Sequence, residues 1–157
     1  MNGSQRVLIT DHGAHSPEKW ALATADHLVH LDEAKANPAE IIAARKLETA
    51  IAEALAGHHA KVQGLEASSL SADAEAHLAK DYDASEHIAE AVAAVVACAK
   101  GTPFEAHFAR ADVQEQIGEV IHQHFRSAQH IARSWHCDKN PRSPAAQAWR
   151  AKHHAAA

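Results

Sequence analysis

Residues 37–68 read NPAEIIAARKLETAIAEALAGHHAKVQGLEAS, and this stretch decides the fold class. Asn37 is a helix-capping residue, because its side-chain oxygen can accept from the otherwise unpaired first-turn amides. Pro38 suits the first helical position, where its missing N–H costs nothing and its fixed φ is already helical. Glu40, three residues after the cap, completes a capping box. The alanine, leucine and charged residues that follow are strong helix formers. Ile51, Leu55, His58, Val62 and Leu65 are spaced 4, 3, 4 and 3 apart, the seam of a helix packed in coiled-coil fashion. Beside them Ala43, Ala50, Gly57 and Gly64 place a small residue at every seventh position. Glycine inside a helix costs about 1 kcal/mol relative to alanine. Gly57 and Gly64 therefore predict the close approach of another helix, packed tightly and antiparallel.

The punctuation of the rest of the chain follows the same rule. All five prolines stand directly behind a capping residue: Ser16-Pro17, Asn37-Pro38, Thr102-Pro103, Asn140-Pro141 and Ser143-Pro144. A first helix is predicted from Ser16 to about Leu31, with Trp20, Ala23, Thr24, His27, Leu28 and Leu31 on one side. The second runs from Asn37 to about Ser68, and a third starts near Ser71 and breaks around Asp81 to Asp83. Asp83 and Glu86 form a second capping box ahead of Ile88, Val92, Val95 and Ala99, closed by Gly101. Thr102 with Glu105 is a third box, and Asp112 with Glu115 a fourth, opening a long helix to about His136. Its seam is Ile117, Ile121, His124, Ala128, Ile131 and Trp135. The last helix opens at Pro144. Before all of these, Arg6 to Thr10 reads as a short extended arm.

The fold expected is all-α, a compact antiparallel bundle of about five to six helices in one domain spanning residues 1–157. Residues 1–15 form the extended arm and loop, 16–137 the bundle, and 138–157 a basic turn and short, separately hinged helix. A chain of 157 residues is long enough to bury a real core. The two cysteines, Cys98 and Cys137, form no paired spacing and read as reduced thiols. No run resembles a signal peptide or reaches the roughly 20 apolar residues that span a bilayer. A cytoplasmic protein is expected, or a virion component if the chain is phage-encoded.

Charge is unevenly spread. Residues 1–125 carry a balance of −10, and residues 126–157 a balance of +5. Arg126, Arg133, Arg142, Arg150 and Lys152, with Trp149 among them, are the candidate partner-binding residues. Their partner would be nucleic acid, the acidic body of the chain, or another copy.

The fifteen histidines are the chemically unusual feature. His12 and His15 precede the first helix, and His27 and His30 lie three apart on it. Together they are one candidate metal site, for zinc. Glu119 and His122, joined by Glu115 on the same face, match half of a Glu-x-x-His di-iron pattern and form a weaker candidate. His58 and His124 each interrupt an apolar seam, where a polar residue commonly fixes register or oligomeric state. No nucleophile elbow, phosphate loop or zinc-protease motif is present, so no catalytic residue is assigned.

The opening Val7-Leu8-Ile9-Thr10-Asp11-His12-Gly13, followed by Ser16-Pro17-Glu18-Lys19-Trp20, resembles small uncharacterised proteins encoded by tailed bacteriophages. The resemblance implies a virion or phage-accessory protein and transfers no functional residue. The function expected is non-enzymatic, exercised through protein–protein contacts as a repeated subunit of a larger assembly, with no cofactor. The alternatives are a histidine-rich protein binding zinc or iron, and a nucleic-acid-associated protein using the basic C-terminal segment.

Overall fold

In a computed structural model the described residues are 17–154. They form helices only: α1 (Pro17–Leu28), α2 (Pro38–Leu78), α3 (Ser85–Cys98), α4 (Glu105–Phe108), α5 (Ala111–Lys139) and α6 (Pro144–His154). The protein is an all-α helical bundle. The predicted extended arm, and most of the stretch that carries the phage resemblance, lie outside the described residues.

Capping chemistry explains several of the helix starts. The Glu40 amide donates to Asn37 Oδ1 at 2.8 Å, and Asn37 Nδ2 donates to Glu40 Oε1 at 2.7 Å, so α2 opens as its sequence requires. Pro17, Pro38 and Pro144 each occupy a first helical position. At α3 the Asp83 carboxylate holds the amide and hydroxyl of Ser85, at 3.1 and 2.9 Å, where a reciprocal box with Glu86 was expected. The expected box at Asp112 is not a cap. Helix α5 begins two residues earlier, with Arg110 at the cap position and Ala111 first in the helix, and the Asp112 carboxylate instead takes two hydrogen bonds from Arg110, at 3.1 and 2.8 Å. Gly101, with φ of +76°, supplies the left-handed residue after α3.

The ends of two helices differ from expectation. Helix α1 stops at Leu28, before the expected Leu31, and the chain then turns on Asp32, whose carbonyl accepts from the amides of Lys35 and Ala36. Helix α2 does not end at Ser68. It continues to Leu78 through a break in helical geometry at Asp73 (φ −157°, ψ 86°). The Asp73 carboxylate accepts from the Ala76 amide at 3.2 Å, so one aspartate both ends one helical run and caps the next.

Consecutive long helices are antiparallel, but α2 and α5 run parallel. His59 meets Phe125, Glu66 pairs with Arg133, and Leu70 packs with Cys137, so position numbers rise together along both helices. With α3 descending between them, both α2 and α5 must ascend. The antiparallel contact expected at the α2 seam is therefore made by α1 and α3, not by α5.

Two apolar clusters fill the described bundle. The larger joins α1, α2, α3 and α5 through Trp20, Ile51, Leu55, Val62, Val95, Ile117, Ile121 and Phe125, with Phe108 of α4. The smaller joins the last turns of α2 to α5 and α6 through Leu70, Leu78, Cys137, Ala146 and Trp149. Helix α6 is thereby docked on α2 and α5, and it is not a separately hinged element. No helix among the described residues is long and apolar enough to cross a membrane.

Candidate functional site

The seam of α2 is displaced from the expected one. Ala44, Leu55 and Glu66 are buried, as are Ile51 and Val62, and His59 and Leu70, so burial repeats every eleven residues. That is about 3.67 residues per turn, closer to an unstrained helix than the 3.5 of a heptad seam. Ile51, Leu55 and Val62 stay in the core under either period. Past Leu55 the heptad reading drifts off the buried face. His58 is only half-buried at the edge facing α3, and its neighbour His59 takes the core position. Leu65 is 44% exposed, and Glu66 is buried in its place. Gly57 and Gly64 are exposed, and a Cβ at either would meet no atom of the described residues within 4 Å, so no described helix approaches there. The close glycine is Gly118 of α5, 3.7 Å from Val92 of α3 by the same test.

On α5, His124 is buried as its spacing predicts, whereas Trp135 at the end of that seam is 46% exposed. His59 and His124 flank the indole of Trp20, with ring centroids 5.0 and 4.4 Å from it. Both imidazoles are almost completely enclosed, and neither ring nitrogen of His59 has a hydrogen-bond partner among the described residues. Desolvation disfavours the imidazolium, which lowers the His59 pKa to about 4 and the His124 pKa to about 3, the latter assisted by repulsion from His59. The two rings are neutral at pH 7 and act as hydrophobic filler. Burial also lowers the pKa of His58, countered by Glu90.

A buried ionic network lies about two helical turns further along. Arg133 is 3% exposed, and its Nε donates to Glu66 Oε1 at 3.0 Å while NH1 donates to the Lys80 carbonyl at 2.6 Å. The second Glu66 oxygen is 2.8 Å from His77 Nε2. Tyr82 stacks under the Arg133 guanidinium at 4.6 Å, and its hydroxyl meets His130 Nδ1 at 2.8 Å. The network ties both sides of the Asp73 break and the α2–α3 connection to α5. Nothing in the pattern of either helix marked Glu66 or Arg133 for this role, because the partners are 67 residues apart.

These contacts redistribute the expected partner-binding residues. Arg133 and Trp149 are core residues, and Arg150 is paired with Asp138. A buried guanidinium requires a carboxylate partner, and the Trp149 indole forms a triangle of mutually contacting rings with His130 and His153. Arg126, Arg142 and Lys152 remain exposed, with Arg126 5.6 Å from the Tyr82 ring. The expected basic surface is thus reduced to scattered cations.

Among the described residues the metal candidates are not brought together. His12 and His15 lie outside the described residues. His27 is exposed on α1, and His30 falls beyond its end, which removes the shared helical face the pair needed. Glu119 and His122 are both exposed on α5, as is Glu115. Among the described residues no three histidine, cysteine or carboxylate side chains converge in a way that could hold an ion. Burial raises both thiol pKa values, Cys98 and Cys137, so neither is an activated nucleophile.

What the fold leaves open is one face of α3. From Ala91 to Ala99 every residue is apolar, yet the helix is buried only along Ala91, Val95 and Ala99. Ala89, Ala93 and Ala97 face outward with Val92 and Val96 half-buried beside them. Together with Lys100 and Gln114 of α5 they line an open groove of about 520 Å³. A second groove, of about 690 Å³, lies between the last turn of α2 and α6, against Leu78 and Trp149. The unbroken apolar run of α3 was the available sequence signal for this face. Its alanines read as helix formers before they read as surface.

No protein-family profile, curated protein or solved structure is detectably similar to this chain.

Proposed function

We propose that this chain is a non-enzymatic helical subunit that works through protein–protein contacts and associates with copies of itself. The observation that carries the reading is the outward face of α3. A helix that is apolar all round is ordinarily buried all round. Here the described residues cover nine consecutive apolar residues, Ala91 to Ala99, on one side only. Leaving such a face in water forgoes about 25 cal/mol for every Å² that a partner would cover. The chemistry elsewhere agrees with a structural role, since the buried histidines are neutral filler and the enclosed Arg133 and Glu66 neutralise each other.

The nucleic-acid alternative loses support from the same geometry. Arg133 and Arg150 are engaged by carboxylates and Trp149 is buried, leaving no contiguous basic and aromatic surface from that set.

Sedimentation equilibrium tests the reading. The mass is expected to exceed the 16.8 kDa protomer and to fall toward it on dilution. A protein that stays monomeric up to about 0.1 mM, where even weak specific contacts populate a complex, would refute it.

A further inference from the structure

The geometry of α3 points to a specific self-association: two copies pack antiparallel through this face, with Glu86 of each chain opposite Lys100 of the other. The inference rests on the self-association reading above and adds the face, the direction and the charge pairs.

Glu90 apart, the outward residues of this segment are symmetric in sequence about Ala93. Glu86 lies seven residues before Ala93 and Lys100 seven after it, and Ala89 and Ala97 lie four to either side. Glu86, Glu90, Ala93 and Ala97 follow a 4, 3, 4 spacing on α3 and are all exposed, so they share one stripe, and Lys100, in the turn just past the helix end, lines the same groove as Ala93 and Ala97. A two-fold axis through Ala93 brings Ala93 onto its own copy, Ala89 onto Ala97, and Glu86 onto Lys100. The last pairing occurs twice, as a self-complementary interface requires. A parallel arrangement would oppose Glu86 to Glu86 and Lys100 to Lys100, so charge selects the antiparallel one.

Two other polar side chains of this face are held within the chain. Glu90 is held within its own chain by Lys61 of α2, at 3.3 Å, which leaves Glu86 as the carboxylate for the second copy. Gln114, on the rim contributed by α5, is fastened to the Phe108 carbonyl at 3.0 Å. The half-buried Val92 and Val96 form the floor of the groove, and the outward alanines let two helix backbones approach closely. Because the stripe is a single helix of 14 residues, the interface is smaller than a standard-size one and association is expected to be weak and concentration-dependent.

Five proteins are compared by sedimentation at low salt: the wild type, Glu86→Lys, Lys100→Glu, the double variant carrying both changes, and Ala93→Arg. Positions 86, 93 and 100 are exposed, and far-UV circular dichroism confirms that each variant folds. Each single charge reversal turns two attractive pairs repulsive and is expected to weaken association about tenfold. An equal mixture of the two single variants and the double variant alone should both regain wild-type association. Ala93→Arg, with a guanidinium on the symmetry axis, should be monomeric. Wild-type protein that associates while Ala93→Arg and the charge variants match it would overturn the inference and leave the self-association reading intact. A double variant as weak as the single ones would overturn the antiparallel direction. Monomeric wild-type protein would refute the self-association reading itself.

Discussion

Acid should destabilise this protein through two residues in its centre, His59 and His124. The pKa of each is lower in the folded state, about 4 and about 3, than the 6.5 of an unperturbed imidazole. Below pH 6.5 the unfolded chain therefore binds protons that the folded chain refuses, and stability present at neutral pH is lost as pH falls through that range. At about pH 5 an unfolded-state imidazole of pKa 6.5 is almost fully protonated, which favours unfolding by about 2 kcal/mol per residue. Both residues together cost about 4 kcal/mol, a large part of the 5–15 kcal/mol that holds a typical domain together. Urea unfolding followed by far-UV circular dichroism at about pH 7.5 and pH 5 measures the loss directly. The double variant His59→Leu, His124→Leu keeps similar volume without titrating. It should lose about 4 kcal/mol less between the two pH values. At neutral pH, His59→Leu alone should gain about 1 kcal/mol, because it removes two ring nitrogens that have no partner among the described residues. Wild-type stability that is equal at the two pH values, or a double variant that loses as much as the wild type, would refute the reasoning. The lowered pKa values of His58 and His130 add to the same slope, so some pH dependence is expected to survive in the double variant.

Three further outcomes follow from the packing. Arg133→Met leaves the Glu66 carboxylate buried without its cation and should cost about 3–5 kcal/mol in denaturant unfolding, whereas Glu66→Leu combined with Arg133→Met should recover most of that loss. Gly57→Ala and Gly64→Ala should each raise stability by about 1 kcal/mol in thermal unfolding, since the new methyl meets nothing within 4 Å. A fall in melting temperature would show that a helix does approach there. Gly101→Ala should lower stability by about 1 kcal/mol in the same assay, because φ of +76° strains any residue with a Cβ although the space around it is open.

The helical class was legible because the chain states it locally. Asn37, Pro38 and Glu40 act within one turn, and Asn37 Oδ1 accepts the Glu40 amide as their order requires. The position of the buried face was not legible, for a geometric reason. Heptad and eleven-residue readings agree at Ile51, Leu55 and Val62 and separate at 58 against 59 and 65 against 66, where an unstrained helix has turned past the heptad seam. Two adjacent histidines, His58 and His59, made the first choice invisible in composition. Leu65 beside Glu66 made the apolar residue the natural choice, although the burial went to the acid. That choice depends on Arg133, a residue 67 positions away that looked like part of a basic tail. A buried ion pair is a property of two distant segments, and neither segment announces it alone.

The α3 face inverts that relation. Its nine apolar residues are plain in the sequence, and the fold is needed only to show that α2 and α5 cover one side of them. Once α2, α3 and α5 run up, down and up, α3 has neighbours on its inner side and none of the described helices on its outer one. An interior helix would have no use for Glu86 and Lys100 equidistant from Ala93. At an interface that must match itself, equal spacing about a centre is the condition for every attractive pair to occur twice.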